Sequence, residues 1–455
     1  MASVTRAELA PTLRRELGLR DVTLFAATCM ISTRWLPIAA HSGPSSIVLW
    51  FLATVFFAAP LTAAVAALAT KYPAAGGLYL WTRHDFGPWH GFLAFWCYWL
   101  GIAFLFPTAA LLYARVGFSA LGSSYGSIGE NRFYLLVVTL ALIWIGLGTN
   151  LVGLRIGKWT ENLGALASFV VALLLIALAW ITWVRRGTAT PIDVFPRFSW
   201  RTVSFSAAIA FAMSGMEGVG MMVEEIREPE PTIRRAGWIA TAISSGFYLL
   251  GTVAFLVVLP SKQISELNGF AETAGAAGQL LNLTWVAPLI CFLALASGLG
   301  LLGGIGTATS RMPFAAGVDH LLPEAFGRVH PRWRTPYVSI LVLGLIASFF
   351  LLVYQLGDSM RAAFDELVSL MLLTGFLPFV YIFGSAWKAG KRLSAVSGGA
   401  VTLLALLCSV IPPEEIANVW LFEAKLAAGT LAVVLSAWFL YRSRKSSSPL
   451  PLRAI

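Results

Sequence analysis

Long runs of hydrophobic residues alternate with short polar segments along most of the chain. A helix needs about 20 apolar residues to cross the hydrocarbon core of a bilayer, and many of the runs reach that length. The pattern therefore predicts an all-α membrane protein with twelve transmembrane helices. The predicted spans are residues 22–42, 47–70, 89–121, 133–153, 160–184, 203–225, 237–260, 284–310, 337–356, 366–387, 395–411 and 419–441.

Lysine and arginine residues are unevenly distributed over the segments that join the predicted spans. If segment 1–21 is cytoplasmic, most basic residues fall on the cytoplasmic side, with the loop 185–201 as the exception. Because cytoplasmic loops are enriched in Lys and Arg, we expect both termini, including the tail 442–455, in the cytoplasm. The first apolar run lacks a small-residue cleavage site, so we expect it to remain a transmembrane helix.

Two predicted spans contain residues that weaken a helix near the middle of the membrane. The first carries Arg34 followed by Pro37, and the sixth carries Glu217 among three glycines. Glycine weakens a helix by ~1 kcal/mol relative to alanine, and proline removes a backbone donor. The two spans lie five apart, so spans 1–5 and 6–10 are predicted to form an inverted repeat, in which matching broken helices mark a substrate site. The alternative is a pair of ordinary kinks packed against neighbouring helices.

Arg34 and Glu217 are the two charged residues that fall near the centre of a predicted span. An unpaired charge there costs at least ~2.5–3.5 kcal/mol, so each side chain should face protein or water and have a partner. One hypothesis is that the two residues pair with each other and serve in gating. The other is that Arg34 binds an anionic group of a substrate while Glu217 responds to protons.

Composition excludes several other classes of protein. Hydrophobic residues make up 58% of the chain and charged residues 12%, whereas soluble proteins have about 25% charged residues. The net charge of +10 lies in loop clusters and not in a continuous stripe, so we predict a lipid bilayer and no nucleic acid as partner. The Cys and His residues show no metal-ligand spacing, and no Walker A or hydrolase motif occurs. We therefore predict no metal, no cofactor and no enzymatic activity, and we favour gradient-driven transport.

Three other stretches of the sequence predict local features. The segment between spans 2 and 3 predicts a short interfacial helix. The aromatic run 95–99 in span 3 could line a pocket, but we favour packing against lipid for most of its residues. After span 6, Glu224 and Glu225 precede the basic residues Arg234 and Arg235. These charges either form ion pairs at an inner gate or belong to a solvated loop.

Short motifs around spans 3, 6 and 8 are similar to those of a known superfamily. The motif residues are Tyr72, Pro73, Gly76, Gly77, Tyr79, Phe86, Gly87, Pro88, Gly91, Phe92, Ser214, Gly215, Glu217, Glu224, Glu225, Ile226, Ile233, Arg234, Arg235, Ala236, Ser310, Arg311, Asp319, Leu321, Leu322 and Pro323. In these residues the chain resembles the amino acid–polyamine–organocation superfamily. The resemblance implies a leucine-transporter-like fold, with a five-plus-five core over 22–387 and two additional helices over 388–441. It also implies proton-coupled symport or exchange of amino acids or related amines.

The resemblance also implies a set of site residues. The Ser32-Thr33-Arg34 sequence before Pro37 is most similar to the glutamate/γ-aminobutyrate antiporter branch. Ile305 replaces a tryptophan of the arginine/agmatine antiporter, and Ser168 replaces a lysine of some proton-coupled members. The resemblance implies a role in gating or proton linkage for Arg34, Glu217 and Phe211, with Phe211 as an aromatic lid. The implied substrate-binding residues are Ile31, Ser32, Thr33, Arg34, Trp35, Gly101, Phe106, Phe211, Ser214 and Gly215.

The predicted function is therefore a secondary transporter that moves amino acids across the cytoplasmic (inner) membrane by alternating access. A polyamine or other organic-amine carrier is the alternative within transport, although Glu217 is the one acid placed at mid-membrane. An ion channel or a receptor is the alternative from another class, but neither a repeated polar pore ring nor an appended soluble domain is visible. The amino acid, the coupling ion and the oligomeric state, including a homodimer, stay open.

Overall fold

The computed structural model describes residues 17–73, 76–121, 131–193, 200–318, 321–355, 360–412 and 418–445. Residues 1–16 and 446–455 of the predicted terminal segments, and Asp319, lie outside these ranges. Regular structure in the described ranges is helical, apart from a bridge between Leu17 and Ile226. The helices are α1 (Leu19–Met30), α2 (Trp35–His41), α3 (Ser45–Ala53), α4 (Ala59–Lys71), α5 (Leu78–Phe86), α6 (Pro88–Ser119), α7 (Arg132–Leu151), α8 (Leu154–Arg186), α9 (Trp200–Ala212), α10 (Glu217–Gly220), α11 (Pro229–Val258), α12 (Gly269–Leu281), α13 (Val286–Val318), α14 (Tyr337–Gln355), α15 (Met360–Lys388), α16 (Arg392–Cys408) and α17 (Val419–Lys445).

Each predicted span lies on one helix or on a pair of helices. In the described ranges eight helical segments are long and apolar enough to cross a membrane: α3 with α4, α6, α7, α8, α11, α13, α15 and α17. The bent pair of α1 and α2 forms a ninth, and α14 and α16 are shorter apolar helices. The broken pair of α9 and α10 covers the sixth predicted span. The predicted all-helical membrane architecture is thus confirmed, and α5 is the short helix expected between spans 2 and 3.

The first and sixth spans are both broken, and the two breaks touch. The helix α1 ends at Met30 and α2 begins at Trp35 with a bend of 44°. Pro37 lies in the first turn of α2, where its missing N–H leaves no hydrogen bond unmade. Between α9 and α10, Gly215 has a φ of +117°, and a Cβ there would lie 2.5 Å from the carbonyl oxygen of Cys29. Only glycine meets both requirements, so Gly215 allows the breaks to pack against each other.

The packing between spans follows the five-plus-five pattern. The third span, α6, packs extensively on the tenth, α15, and the eighth span, α13, packs in the same way on the fifth, α8. Both crossings are made at glycines. A Cβ on Gly164 would lie 2.4 Å from Cα of Gly300, and one on Gly101 would lie 3.3 Å from Cα of Gly375. Close backbone approach therefore holds the two matched helix pairs together.

The helices α16 and α17 lie at the periphery of this core. The helix α16 packs on α15, α9 and α4, whereas α17 contacts α6 and α15. Large apolar side chains of α17 remain exposed, including Trp420 at 83% and Phe439 at 67%. Exposed apolar side chains of this kind are expected on a surface that faces lipid.

Candidate functional site

A cavity lies where the two broken spans meet α6 and α13. Its volume is about 50 Å³. Since one water molecule occupies roughly 10–15 Å³ on this scale, the cavity holds a few waters, and its walls must separate to admit a larger solute. The lining residues are Cys29, Met30, Ser32, Arg34, Trp35, Tyr98, Ile102, Leu105, Phe211, Ala212, Ser214, Gly215, Glu217, Gly218, Leu301, Ile305, Ala308 and Thr309.

Arg34 is a buried cation that has no acidic partner among the described residues. Its side chain is 1% exposed, and it lies between the break of the first span and α6. The Nη1 group donates to the hydroxyl of Thr108 at 3.1 Å, and the Nη2 group donates to the sulfur of Met371 at 3.6 Å. The guanidinium carbon lies 4.1 Å from the ring centre of Trp35, while Nε has no hydrogen-bond partner. Neutral dipoles and an aromatic face therefore surround a charge that carries unused donor capacity.

Glu217 is equally buried, and its carboxylate has two donors of its own. The hydroxyl of Tyr98 donates to Oε1 at 2.8 Å, and the backbone N–H of Gly215 donates to Oε2 at 2.9 Å. Glu217 and Arg34 both line the cavity, yet no ion pair joins them in the conformation that the structure describes. The hypothesis of mutual pairing therefore has no support in this conformation.

Phe211 and Trp35 close one wall of the cavity. Their rings meet edge to face with centroids 6.4 Å apart, and Phe211 contacts Phe376 in the same way at 5.4 Å. A Cβ on Gly375 would lie 2.6 Å from the Phe211 ring, so the ring rests directly on the backbone of α15. Any rotation of Phe211 therefore changes both the cavity wall and the contact with α15.

The predicted site residues divide into two groups. Four of them lie away from the cavity. Ile31 borders a smaller void beside Ser168, and the hydroxyl of Thr33 is hydrogen-bonded to Tyr113 and Ser297. Gly101 faces α15, and Phe106 is fully buried. The others line the cavity: Ser32, Arg34, Trp35, Phe211, Ser214, Gly215 and Glu217.

The sequence analysis did not assign two tyrosine hydroxyl groups to the site. Tyr248 on α11 donates to the carbonyl of Met30 at 2.8 Å and accepts from the N–H of Ser32 at 2.9 Å, so it satisfies backbone groups freed by the break. Tyr98 belongs to the aromatic run 95–99, for which packing against lipid was favoured. That interpretation was wrong, because four of the five residues are buried, and Tyr98 lines the cavity as the alternative required. Hydropathy alone carries no signal for either residue, since both occur in apolar runs.

An ion pair joins the segment after α10 to α13 at the end of the bundle that carries the N-terminal segment. Arg311 Nε lies 3.1 Å from Glu225 Oε1, and its Nη1 group donates to the carbonyl of Thr307 at 2.6 Å. The carbonyl of Glu225 also accepts from the N–H of Leu17 at 3.0 Å. The expected ion pair of Glu225 therefore forms with α13 and not with the basic residues that follow in sequence.

Comparison with known proteins identifies the family of this chain. The model of the family described as amino acid permease matches residues 17–439. The chain belongs to the amino acid permease family. It is 25% identical over 453 residues to an uncharacterized transporter of Legionella pneumophila, with 93% of this chain and 96% of the relative covered.

Two further relatives of this permease have names that state a substrate. A probable agmatine/putrescine antiporter of Lactococcus lactis is 23% identical over 388 residues, with 83% of this chain and 81% of the relative covered. A low-affinity putrescine importer of Escherichia coli is 24% identical over 400 residues, with 84% and 83% covered. The permease is accordingly a multi-pass membrane transporter of the superfamily that its motifs indicated.

Proposed function

We propose that this permease is a secondary transporter that moves amino acids across the cytoplasmic membrane by alternating access, through proton-coupled symport or exchange. Both termini would lie in the cytoplasm, as the distribution of basic residues indicates. The backbone at Ser32 and Ser214 would hold the polar groups of the amino acid, and Phe211 would act as the lid. The cavity of about 50 Å³ is too small for an amino acid, which supports a cycle in which the walls separate toward one side at a time.

The observation that carries this proposal is the unpaired guanidinium of Arg34 in the cavity wall. A buried charge without a counterion is costly, and here the nearest partners are a hydroxyl, a thioether and a ring. A carboxylate of the substrate would supply the missing negative charge and accept from the free Nε donor. Arg34 would thus select solutes that carry a carboxylate.

Glu217 would complete the recognition of an amino acid. One basic and one acidic side chain line the cavity, so the fixed charges in its wall balance. This balance suits a zwitterion, whose carboxylate would face Arg34 and whose ammonium group would face Glu217. A diamine would gain from Glu217 alone and would be repelled by Arg34.

Uptake into proteoliposomes tests this assignment. A panel of labelled amino acids, agmatine and putrescine would be offered with and without a pH gradient and internal substrate. Arg34→Ala is expected to raise the KM for the transported amino acid by about 10- to 100-fold, because hydrogen bonds to a charged group contribute about 1.5–3 kcal/mol. Arg34→Lys should recover only part of this loss, since an ammonium cannot reproduce the planar donor array.

Arg185 lies exposed at the end of α8, so Arg185→Ala should leave the KM unchanged. Normal amino-acid uptake by Arg34→Ala would disprove the role given to Arg34.

A polyamine carrier is the second candidate, favoured by the names of two relatives. In that case the wild-type protein would take up putrescine or agmatine in preference to amino acids. Arg34→Ala would then improve the uptake of the diamine, because a repulsive charge is removed from the cavity. The same panel of substrates therefore separates the two candidates.

A further inference from the structure

Glu161, Asn150 and Thr307 form a hydrogen-bonded cluster outside the substrate cavity. Glu161 lies on α8, Asn150 near the end of α7 and Thr307 on α13. The hydroxyl oxygen of Thr307 is 2.6 Å from Oε1 of Glu161 and 2.7 Å from Oδ1 of Asn150. The amide nitrogen of Asn150 is 2.7 Å from the carbonyl oxygen of Gly303. Three short contacts therefore connect the carboxyl group to the backbone of α13.

Counting hydrogens shows that an ionised Glu161 leaves one of these contacts without a proton. The amide of Asn150 supplies one hydrogen toward Gly303, and the single hydroxyl hydrogen of Thr307 can point to only one of its two acceptors. Turning the amide of Asn150 around does not help, because its oxygen would then face the carbonyl of Gly303. A protonated Glu161 donates to Thr307, which donates to Asn150, and all three contacts become hydrogen bonds.

We propose that the Glu161 carboxyl group is the proton-binding site of this permease, occupied in the conformation described and released when α8 and α13 move apart. The inference rests on the proposed proton-coupled function and assigns its proton to a residue outside the substrate cavity. On release the O–H bond of the carboxylic acid breaks, the electron pair stays on the carboxylate, and the proton passes to water.

The cluster is placed to respond to movement between α8 and α13. The two helices cross at Gly164 and Gly300, where a Cβ on either residue would clash with the other backbone. Glu161 lies about one turn from this crossing, so a change in the crossing angle separates it from Thr307. Thr307 directly precedes two cavity-lining residues of α13, so widening of the cavity and opening of the cluster involve the same helix.

The charges around Glu161 are compatible with a bound proton. Arg311 on α13 is a described cation that interacts with Glu161, but its Nε is engaged by Glu225 and its Nη1 group by the carbonyl of Thr307. Cys29 on α1 also interacts with Glu161. The helix α7 contributes the amide of Asn150, and the side chain of Lys158 lies outside the described residues. No described cation thus donates a hydrogen bond to the carboxyl group.

Glu161→Gln tests the inference because glutamine reproduces the protonated form and keeps every hydrogen bond in the cluster. In proteoliposomes the variant is expected to retain substrate counterflow and to lose accumulation driven by a pH gradient. A trapped pH indicator should report substrate-induced proton movement for the wild type and none for the variant. Glu161→Asp keeps a titratable group and should retain gradient-driven uptake with a shifted pH profile.

A readout independent of transport is the carbonyl stretch of a protonated carboxylic acid in the infrared spectrum, which should disappear in Glu161→Gln. The matched control is Glu366→Gln on α15, which removes a peripheral partner of Lys425 and should change neither readout. Unchanged gradient-driven accumulation by Glu161→Gln would overturn the proposal, as would loss of counterflow in a variant that purifies as folded protein. Absence of both uptake and counterflow in the wild type would instead refute the proposed function.

Discussion

Tyr98 in the middle of α6 donates a hydrogen bond of 2.8 Å to Glu217 at the first residue of α10. This hydrogen bond connects α6, which is an unbroken span, to the break between α9 and α10 at the wall of the cavity. Glu217 is 1% exposed, so the only water within reach of its carboxylate is the little that the cavity can hold. The hydroxyl of Tyr98 therefore helps to hold both the acidic side chain and the start of α10 in place.

Tyr98→Phe is expected to weaken the site because it removes one of two donors to a buried carboxylate. Hydrogen bonds to charged groups contribute about 1.5–3 kcal/mol, so substrate affinity or thermal stability should fall by a corresponding amount. Substrate binding and the melting temperature of the purified protein measure the effect. Tyr441→Phe on α17 removes a hydroxyl from a peripheral ring and should change stability by less than about 0.5 kcal/mol. Equal behaviour of the two variants would contradict this role of Tyr98.

Breaking the ion pair between Arg311 and Glu225 should favour opening at the end of the bundle near Leu17. The side chains are 15% and 10% exposed, so the pair is partly shielded from water. We expect Glu225→Gln to shift the equilibrium by about 1–2 kcal/mol, between the values for surface and buried pairs. The measurement is thiol labelling of a cysteine at Thr309 in a background without native cysteines.

The labelling experiment has its own control in a charge exchange. Arg311→Glu combined with Glu225→Arg should restore slow labelling if the pair closes the cavity, whereas each single variant should label roughly 5- to 30-fold faster. Labelling that is insensitive to all three variants would show that the pair does not restrict access to the cavity.

Gly215→Ala should disrupt the contact between the two broken spans. The φ of +117° is unfavourable for alanine, and the added Cβ would lie 2.5 Å from the carbonyl oxygen of Cys29. A loss of more than about 2 kcal/mol of stability, together with loss of transport, is expected. Gly246 lies on α11, and a Cβ added there has no atom within 4 Å. Gly246→Ala should therefore leave the free energy of unfolding unchanged or raise it by up to about 1 kcal/mol. Thermal unfolding and uptake of both variants check the prediction, and a fully active Gly215→Ala would contradict it.

The hydropathy pattern by itself determined the all-helical membrane architecture and the position of both breaks. This was possible because a bilayer requires long apolar runs, and because glycine, proline and a charged residue are conspicuous within them. The same pattern singled out Arg34 and Glu217, which the structure places on the wall of one cavity.

Only the tertiary structure decided which partners these residues have. Tyr98, Thr108 and Tyr248 come from distant spans, and in the sequence a hydroxyl that meets the site looks the same as one that meets lipid. Glu161 was placed at the edge of a span, and its link to Thr307 follows from the crossing of α8 with α13. One-dimensional hydropathy records how apolar a residue is but not the direction in which its side chain points, so hydrogen-bond partners emerge only when the helices are packed.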